Sequence, residues 1–205
     1  MQPILPTEIL IASNNTGKVA ELRGLMRKLP LQFKYLRDFS KIEDVEETGS
    51  TFEENAILKA SEYARRTGMW TIADDSGLEI DALDGRPGVF SARYGGDRLS
   101  FVEKMQLILS EMEKSANHSR RARFICVMAV ADETGQILFT AEGTCAGEIA
   151  ESPRGTGGFG YDPIFVPEGF THTFGELSDA IKQQISHRGR ACVLIMRYLL
   201  HFNTI

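Results

Sequence analysis

The stretch Ile9-Leu10-Ile11-Ala12-Ser13-Asn14-Asn15-Thr16-Gly17-Lys18-Val19 decides the fold class. Its opening apolar run is short and ends in polar residues, as a buried strand does. A polar turn follows, and then Leu22, Leu25, Met26 and Leu29 recur at helical spacing until Pro30 closes the segment. The order is strand, polar turn, helix, the opening of an α/β unit.

The rest of the chain continues the alternation. Thr51 and Glu54 stand at capping-box spacing and predict a helix start, with Ala56, Ala60 and Ala64 on one small-residue face and Gly68 as its stop. Residues 70–73 read as a strand running into the turn Asp74-Asp75-Ser76-Gly77. Residues 78–83 read as another strand, ending at Asp84-Gly85. A helix over about 101–112 has Met105, Ile108, Leu109 and Met112 on its apolar face. Residues 123–131 and 136–145 form a hairpin around 132–135. A glycine-rich loop, 152–161, and a last helix over about 189–201 complete the chain. Interleaved strands and helices with one hairpin predict an α/β fold built on a mixed sheet.

Composition narrows the function classes. A chain of 205 residues fits one domain or two interlocked lobes. With 42% hydrophobic and 25% charged residues it is not disordered. Lys+Arg 23 against Asp+Glu 28 gives a net charge of −5, which offers no footprint for duplex nucleic acid or an anionic membrane. The three cysteines, Cys126, Cys145 and Cys192, are widely spaced and form no C-x-x-C pair, a usage that suits a reducing cytoplasm. The start MQPILPTEIL has no basic region and is broken by Pro3 and Pro6, so no signal peptide is expected. The longest apolar run, 124–131, is too short to cross a bilayer. A soluble, cytoplasmic protein is expected.

Four motifs could carry chemistry. Ser13, Asn14, Asn15, Thr16, Gly17 and Lys18 lie between strand and helix, where free backbone N–H groups and the helix dipole suit an anion. The turn is not a Walker A loop, since Ala12 stands where its first glycine would be and Val19 follows the lysine. A capped helix start with a solvated lysine has the same letters. Asp74 and Asp75 end an apolar strand, and paired carboxylates beside phosphate suit Mg²⁺, with Glu46 and Glu47 as further acids. Solvated turn acids are the alternative.

The run 155–160 matches G-x-G-x-x-G, but Tyr161-Asp162-Pro163 follows, so no helix can start and the dinucleotide reading fails. Its glycines would let backbone approach a flat ligand, with Phe159 or Tyr161 available for stacking, unless the loop is simply flexible. Finally, Lys182 and the pair His187-Arg188 could donate hydrogen bonds, the pair projecting together from the start of the last helix or capping it at the surface. The other histidines show no zinc spacing.

Taken together, S-N-N-T-G-K, E-E-T-G-S-T-F-E-E-N-A-x-x-K-A, A-D-D-S-G-L, P-G-V-F-S-A-R-Y, G-T-G-G-F-G-Y-D-P-I-F and I-S-H-R-G-R-A closely resemble the inosine triphosphate pyrophosphatase family. The blocks run in family order from about residue 9 to 200. One departure is Ala180-Ile181 before Lys182, where the family more often has acidic residues. The resemblance implies an elongated mixed β-sheet flanked by helices, with two lobes and an active-site cleft between them. It implies Mg²⁺-dependent hydrolysis of ITP, dITP and XTP to monophosphate and pyrophosphate, by a homodimer.

By motif match, Ser13, Asn14, Asn15, Thr16, Gly17 and Lys18 would hold the triphosphate. Glu46 and Asp75 would serve the metal, and Asp75 would also be the general base. Ser76 would contact the nucleotide. Phe159, Gly160, Tyr161, Asp162, Lys182, His187 and Arg188 would line the base pocket. Two other readings fit the same residues: a non-catalytic nucleotide-binding or sensing module, and a pyrophosphatase for other modified nucleotides.

Overall fold

In the computed structural model, which describes residues 5–201, the opening forms as its sequence dictates. Strand β1 (Glu8–Ile11) leads to Asn15, whose side-chain oxygen accepts the Lys18 backbone N–H and so caps helix α1 (Thr16–Met26). Strand β2 (Gln32–Tyr35), whose mix of polar and apolar residues did not register as a strand in the sequence, returns parallel to β1 with Tyr35 opposite Ile11. Met1 and Pro3, used in the reading of the N-terminus, lie outside the described residues.

Helix α2 (Phe52–Thr67) starts at the expected capping box: Thr51 accepts the Glu54 N–H, while Glu54 reaches back to the Thr51 N–H. It ends at Gly68, whose φ of 66° closes the last turn. The sequence reading of 70–83 as two strands around a turn is corrected here. Residues Thr71–Ile80 form one continuous strand, β3, with Asp74, Asp75, Ser76 and Gly77 inside it. Asp74 and Asp75 resemble turn acids by composition, but cations brought from other elements satisfy them, so the strand need not break.

The remaining elements are α3 (Phe101–Lys114), β4 (Arg121–Ala131), β5 (Ile137–Ile149), β6 (Phe165–Pro167), α4 (Asp179–Ile185) and α5 (His187–His201). β4 and β5 are joined by the expected turn, where the Asp132 N–H donates to the Gln136 carbonyl. The sheet runs β2-β1-β3-β4-β5-β6, with β3 parallel to β1 and β6 antiparallel to β5, so it is mixed as expected.

Two compact units divide the chain. Among the described residues one comprises 5–75, 126–143 and 188–201, the other 76–125 and 144–187. Each has its own core. In the first, Ile9, Ile11 and Ile72 pack with Leu22 and Met26 of α1 and with Cys192, Ile195 and Leu199 of α5. In the second, Leu78 and Ile80 pack with Met105, Ile108 and Met112 of α3 and with Phe124, Phe165 and Phe174. None of the three cysteines is in a disulfide, and all three are buried. Among the described residues no helix is long and apolar enough to cross a membrane.

Candidate active site

Asp74 and Asp75 are almost fully buried, 2% and 5% exposed, and two buried carboxylates require compensation. The first unit supplies it. Lys18, in the first turn of α1, places Nζ 3.0 Å from Asp74 Oδ2. Arg188, near the start of α5, donates from Nη2 and Nε to the same oxygen at 3.2 and 3.4 Å, and from Nη1 to Glu21 at 2.5 Å. Asp74 Oδ1 is buried and has no hydrogen-bond partner among the described residues.

Asp75 is held from α2. Lys59 Nζ lies 3.0 Å from its Oδ1 and 2.5 Å from Glu47. Asn55 Nδ2 donates to Asp75 Oδ2 at 3.3 Å, while Asn55 Oδ1 accepts the Gly49 N–H at 2.8 Å. A side chain at Gly49 is excluded, since a Cβ there would sit 2.6 Å from Asn55 Oδ1. One buried amide therefore ties the acidic loop around Glu46 and Glu47 to the strand acid.

The two aspartates are driven apart electrostatically. Burial alone would raise Asp74, but Lys18, Arg188 and Lys59 more than offset it and hold the carboxyl well below the usual range. For Asp75 burial prevails over the pull of Lys59 and Lys18, with Glu47 adding to it, and its pKa is raised. Neighbouring acids with opposite shifts can divide the chemistry between them, one as a fixed anion and the other as a group able to accept a proton.

Among the described residues no three His, Cys, Asp or Glu side chains converge as a metal site. The acids present still fit Mg²⁺, which takes one or two carboxylates and completes its shell with water and phosphate oxygens. Buried Asp75, exposed Glu46 and the orphan oxygen of Asp74 are all hard ligands of that kind. Ser76 follows Asp75 on β3, half-buried. In the turn 13–18, Asn14, Asn15 and Thr16 are exposed while Ser13, Gly17 and Lys18 are partly covered.

The second unit assembles the glycine-loop residues. Lys182 of α4 pairs with Asp162 and lies 4.7 Å above the Phe159 ring. Asp162 also accepts the Phe159 N–H at 2.7 Å, and a Cβ on Gly158, whose φ is +68°, would strike that carboxylate. Gly160, also at positive φ, keeps the chain turning toward Tyr161. The expectation that Tyr161 is free to stack is corrected: it is 3% exposed, its hydroxyl donates to the Ser91 carbonyl at 2.8 Å and its ring meets Phe101 edge-on. Phe159 is half-buried, with the Lys182 ammonium over its ring.

The pairing of His187 with Arg188 is also corrected. Adjacent residues at a helix start point in different directions, and here the His187 ring stacks on Phe124 while the Arg188 guanidinium goes to Asp74 and Glu21. Three residues had no assigned role in the sequence reading: Asn55, Lys59 and Glu21. Asn55 and Lys59 lie at i, i+4 on the alanine face of α2, and two polar residues on a buried face were the available signal. Glu21 gave none.

Residues 9–198 match the Ham1 family. The chain is 48% identical to a dITP/XTP pyrophosphatase of Bacillus anthracis over 90% of this chain and 92% of that one. It is 45% identical to a protein of the same name from Geobacter sulfurreducens, over 94% and 96%. Among solved structures, a HAM1 protein from Coxiella burnetii superposes with a TM-score of 0.88 at 43% identity, covering 96% of this chain and 100% of that one. A nucleoside-triphosphatase / dITP/XTP pyrophosphatase from Mycobacterium abscessus gives 0.73 at 40%, covering 92% and 98%.

Proposed function

The chain belongs to the Ham1 family, and from that premise we propose that it hydrolyses the triphosphates of deaminated purines, dITP, ITP and XTP, to monophosphate and pyrophosphate. The observation that carries the reading is the pair Asp74 and Asp75, held by Lys18, Arg188 and Lys59 with opposite pKa shifts. A carboxylate able to accept a proton beside one held as a fixed anion supports hydrolysis over binding alone.

Asp75 accepts the proton of the attacking water, its raised pKa making it the stronger base of the two. Asp74 stays ionised and fixes the ammonium of Lys18, which faces the phosphates with the amides and hydroxyls of Ser13, Asn14, Asn15, Thr16 and Gly17. Glu46 and Asp75 would hold Mg²⁺, which when bound lowers the pKa of water and neutralises phosphate charge. Ser76 contacts the nucleotide. Phe159, Gly160, Asp162, Lys182 and His187 serve the base, and Lys182 and His187 offer donors to the 6-oxygen where adenine would present an amino group. Tyr161 supports that loop from the core, and Arg188 acts through Asp74.

Residues 1–205 are read as one domain, because β3, β4 and β5 each pass from one compact unit into the other. A homodimer and a cytoplasmic location complete the proposal, the latter supported by three buried cysteines, none in a disulfide. The test is pyrophosphate release from ITP, dITP, XTP, ATP and GTP with and without Mg²⁺. The 6-oxo deaminated substrates should be turned over with strong preference, and binding without release would leave a nucleotide-binding module.

A further inference from the structure

β1 is the strand at which the chain switches sides, with β2 on one side of it and β3 on the other. In open α/β sheets, ligands bind beyond the carboxyl ends of the strands at that point. On the β3 side stand Asp74 and Asp75. On the β2 side lies a cavity of about 310 Å³, whose wall includes Ser13, Asn14 and Thr16 of the polar turn together with Arg23, Tyr35 and Arg37.

The lining contains two guanidinium groups and no acid. Neither Arg23 nor Arg37 forms an ion pair among the described residues, whereas Lys18, Lys59 and Arg188 are all committed to carboxylates. Both arginines are exposed, and the Arg37 guanidinium lies 5.1 Å from the Tyr35 ring, a contact that favours one orientation of its fork. With a guanidinium already across the one aromatic ring of the lining, a nucleobase finds little to stack on. Two guanidinia beside the hydroxyls of Ser13 and Thr16 match instead a compact polyanion with several phosphate oxygens.

We propose that this cavity is a diphosphate subsite, in which Arg23 and Arg37 hold a pyrophosphoryl group. The inference rests on the pyrophosphatase reading for the source of that group, which is either the β,γ end of bound substrate or the released product. It divides the polyphosphate between two chemistries. The acid cluster on β3 serves the phosphate that is attacked, and the arginine cavity beside β2 serves the part that leaves.

The experiment titrates Mg²⁺-pyrophosphate, and separately inosine monophosphate, into wild type and Arg23→Gln/Arg37→Gln by calorimetry, with the KM for ITP measured alongside. Pyrophosphate should bind the double variant about tenfold more weakly. The monophosphate should bind it within about twofold of wild type, since it carries no diphosphate. Arg23→Lys/Arg37→Lys should recover part of the loss. A raised KM for ITP together with weaker pyrophosphate assigns the subsite to substrate and product alike, and an unmoved KM assigns it to the free product. Equal pyrophosphate affinity in wild type and variant, no binding by wild type, or equal loss of both ligands overturns the proposal. Failure of wild type to release pyrophosphate from ITP would count against the proposed function, and the calorimetry would then decide the cavity by itself.

Discussion

At Asp74 three cations act on one buried carboxylate, and at Asp75 burial outweighs the cations that reach it. Asp75→Asn keeps the shape and removes the proton acceptor, so turnover should fall on the order of 10²–10⁴-fold while the thermal midpoint stays close to wild type. Near-normal pyrophosphate release by the purified variant would remove Asp75 as the base. Asp74→Asn acts differently, because it leaves Lys18 and Arg188 facing a neutral amide inside the protein. Stability should drop by about 3–5 kcal/mol, read from urea unfolding. A loss below about 1 kcal/mol would show that water already screens this cluster. Both carboxylates were legible from Ala73-Asp74-Asp75-Ser76-Gly77, but their division of labour was not. It depends on which cation lies nearest, and Lys18, Lys59 and Arg188 arrive from three separate helices.

Among the elements, α2 does most to shape the acid cluster. Its cap is local: Thr51, Glu54 and Ser50 satisfy one another over a few residues, which is why the sequence shows the start of the helix so plainly. Thr51→Ala should cost about 1 kcal/mol, checked by thermal unfolding, and an unchanged midpoint would mean the capping box contributes nothing. One turn on, Asn55 bridges Asp75 and the Gly49 amide. Asn55→Ala should raise the Mg²⁺ concentration needed for half-maximal activity as well as lower stability by about 1–3 kcal/mol. Lowered stability with unchanged Mg²⁺ dependence would make Asn55 purely structural. The short elements β2, β6 and α4 were not legible: β2 is as short as β1 but mixes polar with apolar residues and is only partly buried, and β6 and α4 have three and seven residues.

For the whole molecule the aspartate cluster implies a pH dependence with a defined sign. Asp74 has a lowered folded-state pKa, so the stability it contributes is fully present above its ordinary value of 3.8 and is lost as pH falls below that value. The stability gap between wild type and Asp74→Asn should therefore hold from neutral pH down to about 4 and narrow below it, as followed by urea midpoints. A gap that closes between pH 7 and 5 would contradict the shift.

The sequence alone determined what depends on near neighbours. Apolar period and capping fixed β1, α1, α2, α3 and the β4–β5 hairpin, and the ordered motif blocks indicated the family. Tertiary structure alone decided that β3 runs unbroken through two acids, that Arg188 leaves His187 for Asp74, and that Tyr161 belongs to the core. Each of those outcomes turns on a partner distant in sequence: Lys59 and Asn55 stand 16 and 20 positions from Asp75, Ser91 stands 70 from Tyr161, and Asp74 stands 114 from Arg188. Burying a charge or a hydroxyl is settled by what stands opposite it in space, and no local pattern encodes that.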